Sequence, residues 1–169
     1  MPSGTSWATC SRPTVPEFSG RLRATGRVAI IVSRYNEVVT GKLLEGARTC
    51  CAEAGVPESE IDVFWVPGAF ELPVAAMAAA ESDRYSCLVA LGAVIRGETP
   101  HFDFVAGEAT RGLGAVALDL GIPIGFGLLT VDTMEQAWTR ARVEEGDKGG
   151  DAARAALALV AIKRERSKR

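Results

Sequence analysis

Residues 87–105 read CLVALGAVIRGETPHFDFV and are the most informative segment of the chain. Its first half is an uninterrupted apolar run that predicts a buried strand, and an apolar-periodic helix follows after a short polar loop. Thr99 is predicted as the N-cap of that helix and Pro100 as its first residue. His101, the single histidine of the chain, is therefore expected on the first turn of a helix that follows a buried strand.

The rest of the chain also alternates between predicted strands and predicted helices. Further strands are predicted at residues 27–33, 61–66 and 123–130, the first of them buried, and helices at residues 37–54, 71–80, 99–120 and 151–162. One more helix opens at the capping box of Thr133 and Gln136, and the glycine-rich stretch 146–150 is predicted to break the chain after it. Strands that alternate with helices predict a parallel sheet covered on both faces. The expected fold is a three-layer α/β/α domain with a four-stranded parallel sheet and flavodoxin-like topology.

Composition and charge exclude several classes of protein. A formal net charge of −2 argues against a nucleic-acid surface, and the apolar runs are too short to cross a bilayer. The four cysteines show no metal-binding spacing, so no metal site is predicted. Cys50, Cys51 and Cys87 are expected to be reduced residues of a cytoplasmic protein.

The two ends of the chain differ from its middle. Residues 1–26 are rich in Ser, Thr, Pro, Gly and Arg, with Glu17 as their only acid. This composition predicts a flexible N-terminal arm that could pack on a partner subunit. Residues 27–162 are predicted to form one domain, and residues 163–169 a basic tail at the solvated end of the last helix.

Candidate ligand-binding side chains follow the predicted strands. Tyr35 comes after the first strand, Phe70 and Glu71 after the second, and Glu98 and His101 after the third. In an open α/β sheet, ligands bind at the carboxyl ends of the strands. Each residue has a structural alternative: a histidine is often a hydrogen-bonding partner, an aromatic ring is often core, and a glutamate suits a helix N-terminus. Their convergence beside a helix N-terminus, which favours phosphate, favours an enzyme site with a proton-transfer group.

Several longer motifs carry a family resemblance. They are VAIIVSRYN at 28–36, VPGAFELP at 66–73, GAVIRGETPHFD at 92–103, GFGLLT at 125–130, residues 135–140, and GDKG at 146–149. With them the chain resembles the lumazine synthases, the 6,7-dimethyl-8-ribityllumazine synthases of riboflavin biosynthesis, from about residue 27 to residue 162. The resemblance implies a transferase that condenses 5-amino-6-(D-ribitylamino)uracil with 3,4-dihydroxy-2-butanone 4-phosphate, releasing phosphate and water. It implies no metal and no organic cofactor.

The resemblance also implies roles for particular residues. His101 would be the acid–base group and Arg140 its phosphate-binding partner. The implied substrate-binding residues are Tyr35, Asn36, Ala69, Phe70, Glu71, Val94, Ile95, Glu98, Thr99, Phe126, Arg140 and Lys148. Of these, Phe126, Arg140 and Lys148 would come from the adjacent subunit. Ala69 stands where many relatives have serine, and Glu144 where many have a basic residue, so one contact to each substrate is in question.

The sequence also leads to expectations about partners, and it leaves two alternative functions. The resemblance implies a homo-oligomer of pentamers with interfacial active sites, which some members extend to icosahedral shells, and it makes riboflavin synthase a candidate partner. One alternative is a non-catalytic flavin- or lumazine-binding or shell-forming protein of the same fold. A flavodoxin-like electron carrier is disfavoured, because residues 34–38 lack a Ser/Thr-rich phosphate cradle.

Overall fold

The computed structural model describes residues 26–167 of the 169-residue chain. The predicted arm lies outside the described residues except for Gly26, as does Cys10, and so do the last two residues of the predicted tail. Within the described part, no helix is both long enough and apolar enough to span a membrane.

Strands and helices alternate along the chain as predicted. The strands are β1 (Val28–Ser33), β2 (Ile61–Val66), β3 (Cys87–Ile95) and β4 (Ile124–Val131), and the helices are α1 (Glu37–Glu53), α2 (Leu72–Glu81), α3 (His101–Asp119), α4 (Met134–Ala141) and α5 (Lys148–Ser167). All strand pairs are parallel, in the order β2-β1-β3-β4. This order matches the flavodoxin-like pattern, so the predicted three-layer α/β/α fold is confirmed.

The two central strands, β1 and β3, are buried because they are apolar on both sides. In β1, Val28, Ile30 and Val32 pack into one cluster with α1, α4 and α5. Ala29 and Ile31 point the other way and pack with α2 and α3. This alternation is the period of two expected of a strand covered on both faces. We call the face under α1, α4 and α5 the closed face, and the face under α2 and α3 the open face.

The first turn of α5 corrects one prediction. The glycine-rich stretch was expected to break the chain before a helix at residue 151, but α5 begins at Lys148. A Cβ on Gly149 would overlap the backbone oxygen of Leu43 in α1. The glycines therefore allow α1 and α5 to approach closely, and Asp147 caps the helix by accepting a hydrogen bond from the N–H of Gly150 (3.1 Å). The helix also ends at Ser167 rather than at residue 162.

The start of α3 differs from prediction by one residue. Pro100 occupies the N-cap and His101 the first helical position, so the assignment of Thr99 as N-cap is wrong. The reason lies in the backbone of Pro100, whose ψ of 4° is not helical while its oxygen already accepts the N–H of Asp103 (3.0 Å). The placement of His101 on the first turn of a helix after β3 is confirmed.

The described cysteines all belong to the closed face. Cys50, Cys51 and Cys87 are free, as predicted, and all three are buried. Burial raises the pKa of Cys51 to about 11 and that of Cys87 to about 12. Because the thiolate is the reactive form, these thiols are unreactive core groups.

Candidate functional site

A cleft of about 710 Å³ opens where β1, β2 and β3 end, against the first two turns of α3. Eight of the residues expected in the site line it: Tyr35, Ala69, Phe70, Glu71, Val94, Ile95, Thr99 and His101. Its volume is that of a small-molecule site, and its position is the one that an open parallel sheet offers a ligand.

Backbone pairing beyond the strands brings the first two loops together. The N–H of Arg34 donates to Val66 O (2.8 Å) and the N–H of Tyr35 to Pro67 O (3.0 Å), so the β1–β2 pairing continues into the loops. Asn36 then takes a left-handed conformation with φ of 61°, which asparagine tolerates better than most residues. Its Nδ2 donates to Ala93 O (3.0 Å). Asn36 therefore ties the loop to β3 instead of lining the cleft.

Aromatic rings form much of the exposed wall. Tyr35 is 72% exposed, Phe70 is 60% exposed and Phe104 is 70% exposed, and all three line the cleft. Large apolar side chains left in solvent around one concave site mark a binding surface, and such rings can stack on a planar heterocycle. Phe104 was missed by sequence reasoning, although its spacing of three residues from His101 places both on one helix face.

The polar part of the cleft combines an imidazole with a helix N-terminus. His101 is exposed at the first position of α3, and no side chain among residues 26–167 caps this helix by a hydrogen bond. The N–H of Asp103 donates to Pro100 O, whereas the N–H groups of His101 and Phe102 have no acceptor in the preceding turn and can bind an anion. An imidazole gains and loses a proton near neutral pH, so this end can hold a phosphate beside a proton-transfer group.

Two carboxylates complete the lining. Glu71 lies in the turn before α2, and Glu108 lies two turns into α3 on the side of His101. The Arg111 guanidinium forms an ion pair with Glu108 and lowers the pKa of that carboxyl. Glu108 therefore stays ionised at neutral pH. Sequence reasoning missed it, although its spacing of seven residues from His101 was the available signal.

Five expected residues are not among those that the described chain brings into its own cleft: Asn36, Glu98, Phe126, Arg140 and Lys148. Phe126 pairs with Ala90, whereas Val131 pairs with Ile95 at the carboxyl end of the sheet. At the rise of a strand this puts Phe126 about 17 Å back from that end. Phe126 is nevertheless 47% exposed.

Arg140 and Lys148 are exposed on the surface of α4 and α5. Arg140 Nη1 donates to Gln136 O within its own helix (3.2 Å), and Lys148 Nζ pairs with Asp151 (2.7 Å). Glu98 is exposed in the β3–α3 loop. Among residues 26–167, no cluster of three or more His, Cys, Asp or Glu side chains could hold a metal ion.

Comparisons with known proteins agree on one family. A family model described as 6,7-dimethyl-8-ribityllumazine synthase matches residues 25–164. A curated protein of Gemmatimonas aurantiaca (strain DSM 14586), named 6,7-dimethyl-8-ribityllumazine synthase, is 54% identical to this chain over 145 residues. The aligned region covers 85% of this chain and 88% of that protein. The family match spans all the strands and helices that position the cleft.

Proposed function

Because the chain belongs to the 6,7-dimethyl-8-ribityllumazine synthase family, we propose that the cleft on its open face is the active site. The protein is a transferase of riboflavin biosynthesis that condenses 5-amino-6-(D-ribitylamino)uracil with 3,4-dihydroxy-2-butanone 4-phosphate. The reaction needs a proton-transfer group, a phosphate site and a surface that orients a planar ring. The observation that carries the proposal is the meeting of His101, the α3 N-terminus, Tyr35 and Glu71 in one cleft.

The lining suggests how the two substrates would lie. Thr99 and the neighbouring Glu98 would hold the phosphate through their backbone N–H groups, beside His101 as acid–base group. Tyr35 would stack on the pyrimidine ring, with Val94 and Ile95 along the same pocket. Phe70 and Glu71 would contact the ribityl chain, since a carboxylate accepts hydrogen bonds from hydroxyls. Ala69 has no hydroxyl and offers that chain no side-chain hydrogen bond.

Phe126, Arg140 and Lys148 would complete the cleft of a neighbouring subunit. All three are exposed and lie outside the chain's own cleft. Apolar side chains elsewhere are also left uncovered by residues 26–167, since Val74 is 74% exposed and Leu118 is 84% exposed. These observations support a homo-oligomer built from pentamers with interfacial sites. The mass of the assembly in solution tests this directly and separates a pentamer from a shell.

The same proposal covers the domain limits, the location and a partner of the protein. The division into an arm (residues 1–26), a catalytic domain (27–162) and a basic tail (163–169) is supported by the family match to residues 25–164. A cytoplasmic location is supported by three free, buried cysteines, which suit a reducing compartment. Riboflavin synthase stays a candidate partner.

The assay for the proposed site mixes the purified chain with both substrates and follows lumazine fluorescence. His101→Ala should lower kcat about 10- to 100-fold while substrate binding changes little, because positioning supplies the rest of the catalysis. Asp119→Asn, at the exposed far end of the same helix, is the control and should behave as the unmodified enzyme. Unchanged turnover in His101→Ala would refute the role of His101. No turnover by the unmodified chain would favour the non-catalytic alternative.

Subunit mixing tests the role of Arg140. Arg140→Ala should raise KM for the butanone phosphate and leave KM for the uracil substrate nearly unchanged. When Arg140→Ala and His101→Ala chains are unfolded together and reassembled in equal amounts, about a quarter of the interfacial sites of a closed ring should contain both native residues. The activity of the mixture should rise to about a quarter of that of the unmodified enzyme. No rise on mixing would show that both residues serve the site of one chain.

A further inference from the structure

Arg96 stands at the junction between the sheet and the loop that leads to His101. It follows β3 directly, and its backbone N–H donates to Val131 O in β4 (2.9 Å). The β3–β4 pairing therefore continues through Arg96, and the chain leaves the sheet only at Gly97. Because the backbone of Arg96 is fixed in this way, its side chain can hold the start of α3, which follows the loop.

The guanidinium joins two carboxylates that belong to different elements. Its Nε donates to Asp132 Oδ1 just after β4 (3.1 Å). Its Nη1 and Nη2 donate to Asp103 Oδ2 (3.3 Å) and Oδ1 (3.0 Å) in the first turn of α3. This second pair is bidentate, a geometry that the planar fork of arginine allows and the single ammonium of lysine does not.

The same group also packs on Phe102. The guanidinium carbon lies 4.1 Å from the centre of that ring, within the range of a cation–π contact. Phe102 and Asp103 are the two residues that follow His101. Arg96 therefore holds the first turn of α3 at two adjacent points, in a helix whose N-cap makes no side-chain hydrogen bond within the described chain.

These contacts contribute little to the stability of the fold. The side chains of Arg96, Asp103 and Asp132 are 43%, 60% and 68% exposed, and ion pairs this exposed add little to stability. Their effect on geometry is larger, because an error of 1 Å at a reacting group can lower a rate about 100-fold. Contacts that add little to the stability of the protein can therefore still determine its catalytic rate.

We infer that Arg96 is a positioning residue that fixes the imidazole of His101, by clamping the first turn of α3 to the end of β4 through Asp103, Phe102 and Asp132. The inference rests on the proposed role of His101. It assigns Arg96 no contact with substrate. Loss of the clamp should therefore lower kcat and leave both KM values nearly unchanged.

The test compares Arg96→Gln, Arg96→Lys and Asp103→Asn with the control Arg48→Gln, which removes another exposed, paired arginine on α1. We expect kcat to fall about tenfold in Arg96→Gln and in Asp103→Asn. Arg96→Lys should fail to restore it, because charge without the fork does not reproduce the bidentate pair. Arg48→Gln should keep full activity. A normal kcat in Arg96→Gln, or full rescue by lysine, would overturn the inference.

A double-mutant cycle separates positioning from an independent role. If Arg96 acts through His101, Arg96→Gln should cost almost nothing further in a His101→Ala chain. The same tenfold loss in that background, or a selective rise in KM for the butanone phosphate, would instead assign Arg96 a direct role at the phosphate. Failure of the proposed function is distinguishable, because His101→Ala alone would then leave turnover unchanged.

Discussion

The two faces of the sheet differ in how tightly their helices pack and in how much apolar surface they leave exposed. On the closed face, α1 and α5 approach so closely that Gly149 has no room for a methyl group, and the three described cysteines are buried there. On the open face, Val74, Phe104 and Leu118 are each at least 70% exposed, and the cleft opens beside α3. The strand side chains on the closed face are covered by helices of the same chain. The open face leaves apolar surface and polar groups for ligands and for the proposed neighbouring subunits.

The same substitution on the two faces should have opposite effects. Gly149→Ala places a methyl group on the backbone of α1 and should lower the free energy of unfolding by about 3 kcal/mol, since overpacking forces the helices apart. Gly114→Ala is its match on α3, where a Cβ meets no atom within 4 Å. It should raise that free energy by about 0.5–1 kcal/mol. Urea unfolding of both variants measures the contrast, and equal changes would remove this difference between the faces.

The buried thiols give the closed face a distinct response to alkali. The folded-state pKa values of Cys51 and Cys87 are raised to about 11 and about 12, above the ordinary value of about 8.5. Their contribution to stability is therefore complete below about pH 8.5 and is lost as the pH rises towards 11, at up to about 1.4 kcal/mol per pH unit for each thiol.

Urea unfolding between pH 8 and pH 10.5 measures this slope. Cys87→Ala is the matched variant, since it removes one of the two strongly shifted thiols and should make the slope shallower. The native protein should also react slowly with thiol reagents at pH 8. A slope that Cys87→Ala leaves unchanged would show that other groups dominate the alkaline loss.

Much of this architecture could be predicted because it depends on local pattern. The strands are apolar runs, and α1 and α3 show helical periodicity, so the order of elements and the parallel sheet followed. The start of α5 could not be predicted, because glycines at 149 and 150 are typical of a break when only the local sequence is considered. Their use in a helix depends on the backbone of α1, which lies about a hundred residues away in the chain.

The residues of the site also include some that could be predicted from the sequence and some that could not. Tyr35, Glu71 and His101 could be placed together, because the carboxyl ends of parallel strands meet at one edge of the sheet. The partners of Arg96 could not, because Asp132 becomes its neighbour only through the register of β3 with β4. The proposal that Phe126, Arg140 and Lys148 come from a neighbouring subunit rests on family resemblance, since no local pattern encodes a contact between subunits.

The exposed apolar side chains of the open face should matter for assembly. Leu118→Glu puts a charge on the most exposed of the large apolar side chains in the described chain. We expect at least a tenfold weaker association, about 1.4 kcal/mol, and a shift to smaller species in sedimentation. Leu159→Glu, on α5 at 46% exposure, is the comparison from the other face and should change the assembly less. An unchanged mass for Leu118→Glu would exclude that position from a subunit contact.

The smallest expected effects concern two buried hydroxyls, one on each side of the sheet. Thr40 of α1 donates through Oγ1 to Ser33 O (2.7 Å). Ser33 Oγ is buried with no hydrogen-bond partner among the residues that the structure describes. It points towards the open face, where its oxygen, Leu72 and Leu128 occupy the space that a Cβ on Gly92 would need. One hydroxyl is satisfied and the other carries an uncompensated desolvation cost.

Removing each hydroxyl should therefore change stability in opposite directions. Thr40→Val should lower the free energy of unfolding by about 1 kcal/mol, because it removes the donor and leaves a buried carbonyl oxygen with one bond fewer. Ser33→Ala should leave that free energy unchanged or raise it by up to about 1 kcal/mol, since an unpaired polar atom is replaced by nothing. Urea unfolding at neutral pH, where neither group titrates, measures both. A clear loss of stability in Ser33→Ala would mean that this hydroxyl is bonded in solution, and that the interior of the open face is as fully satisfied as that of the closed one.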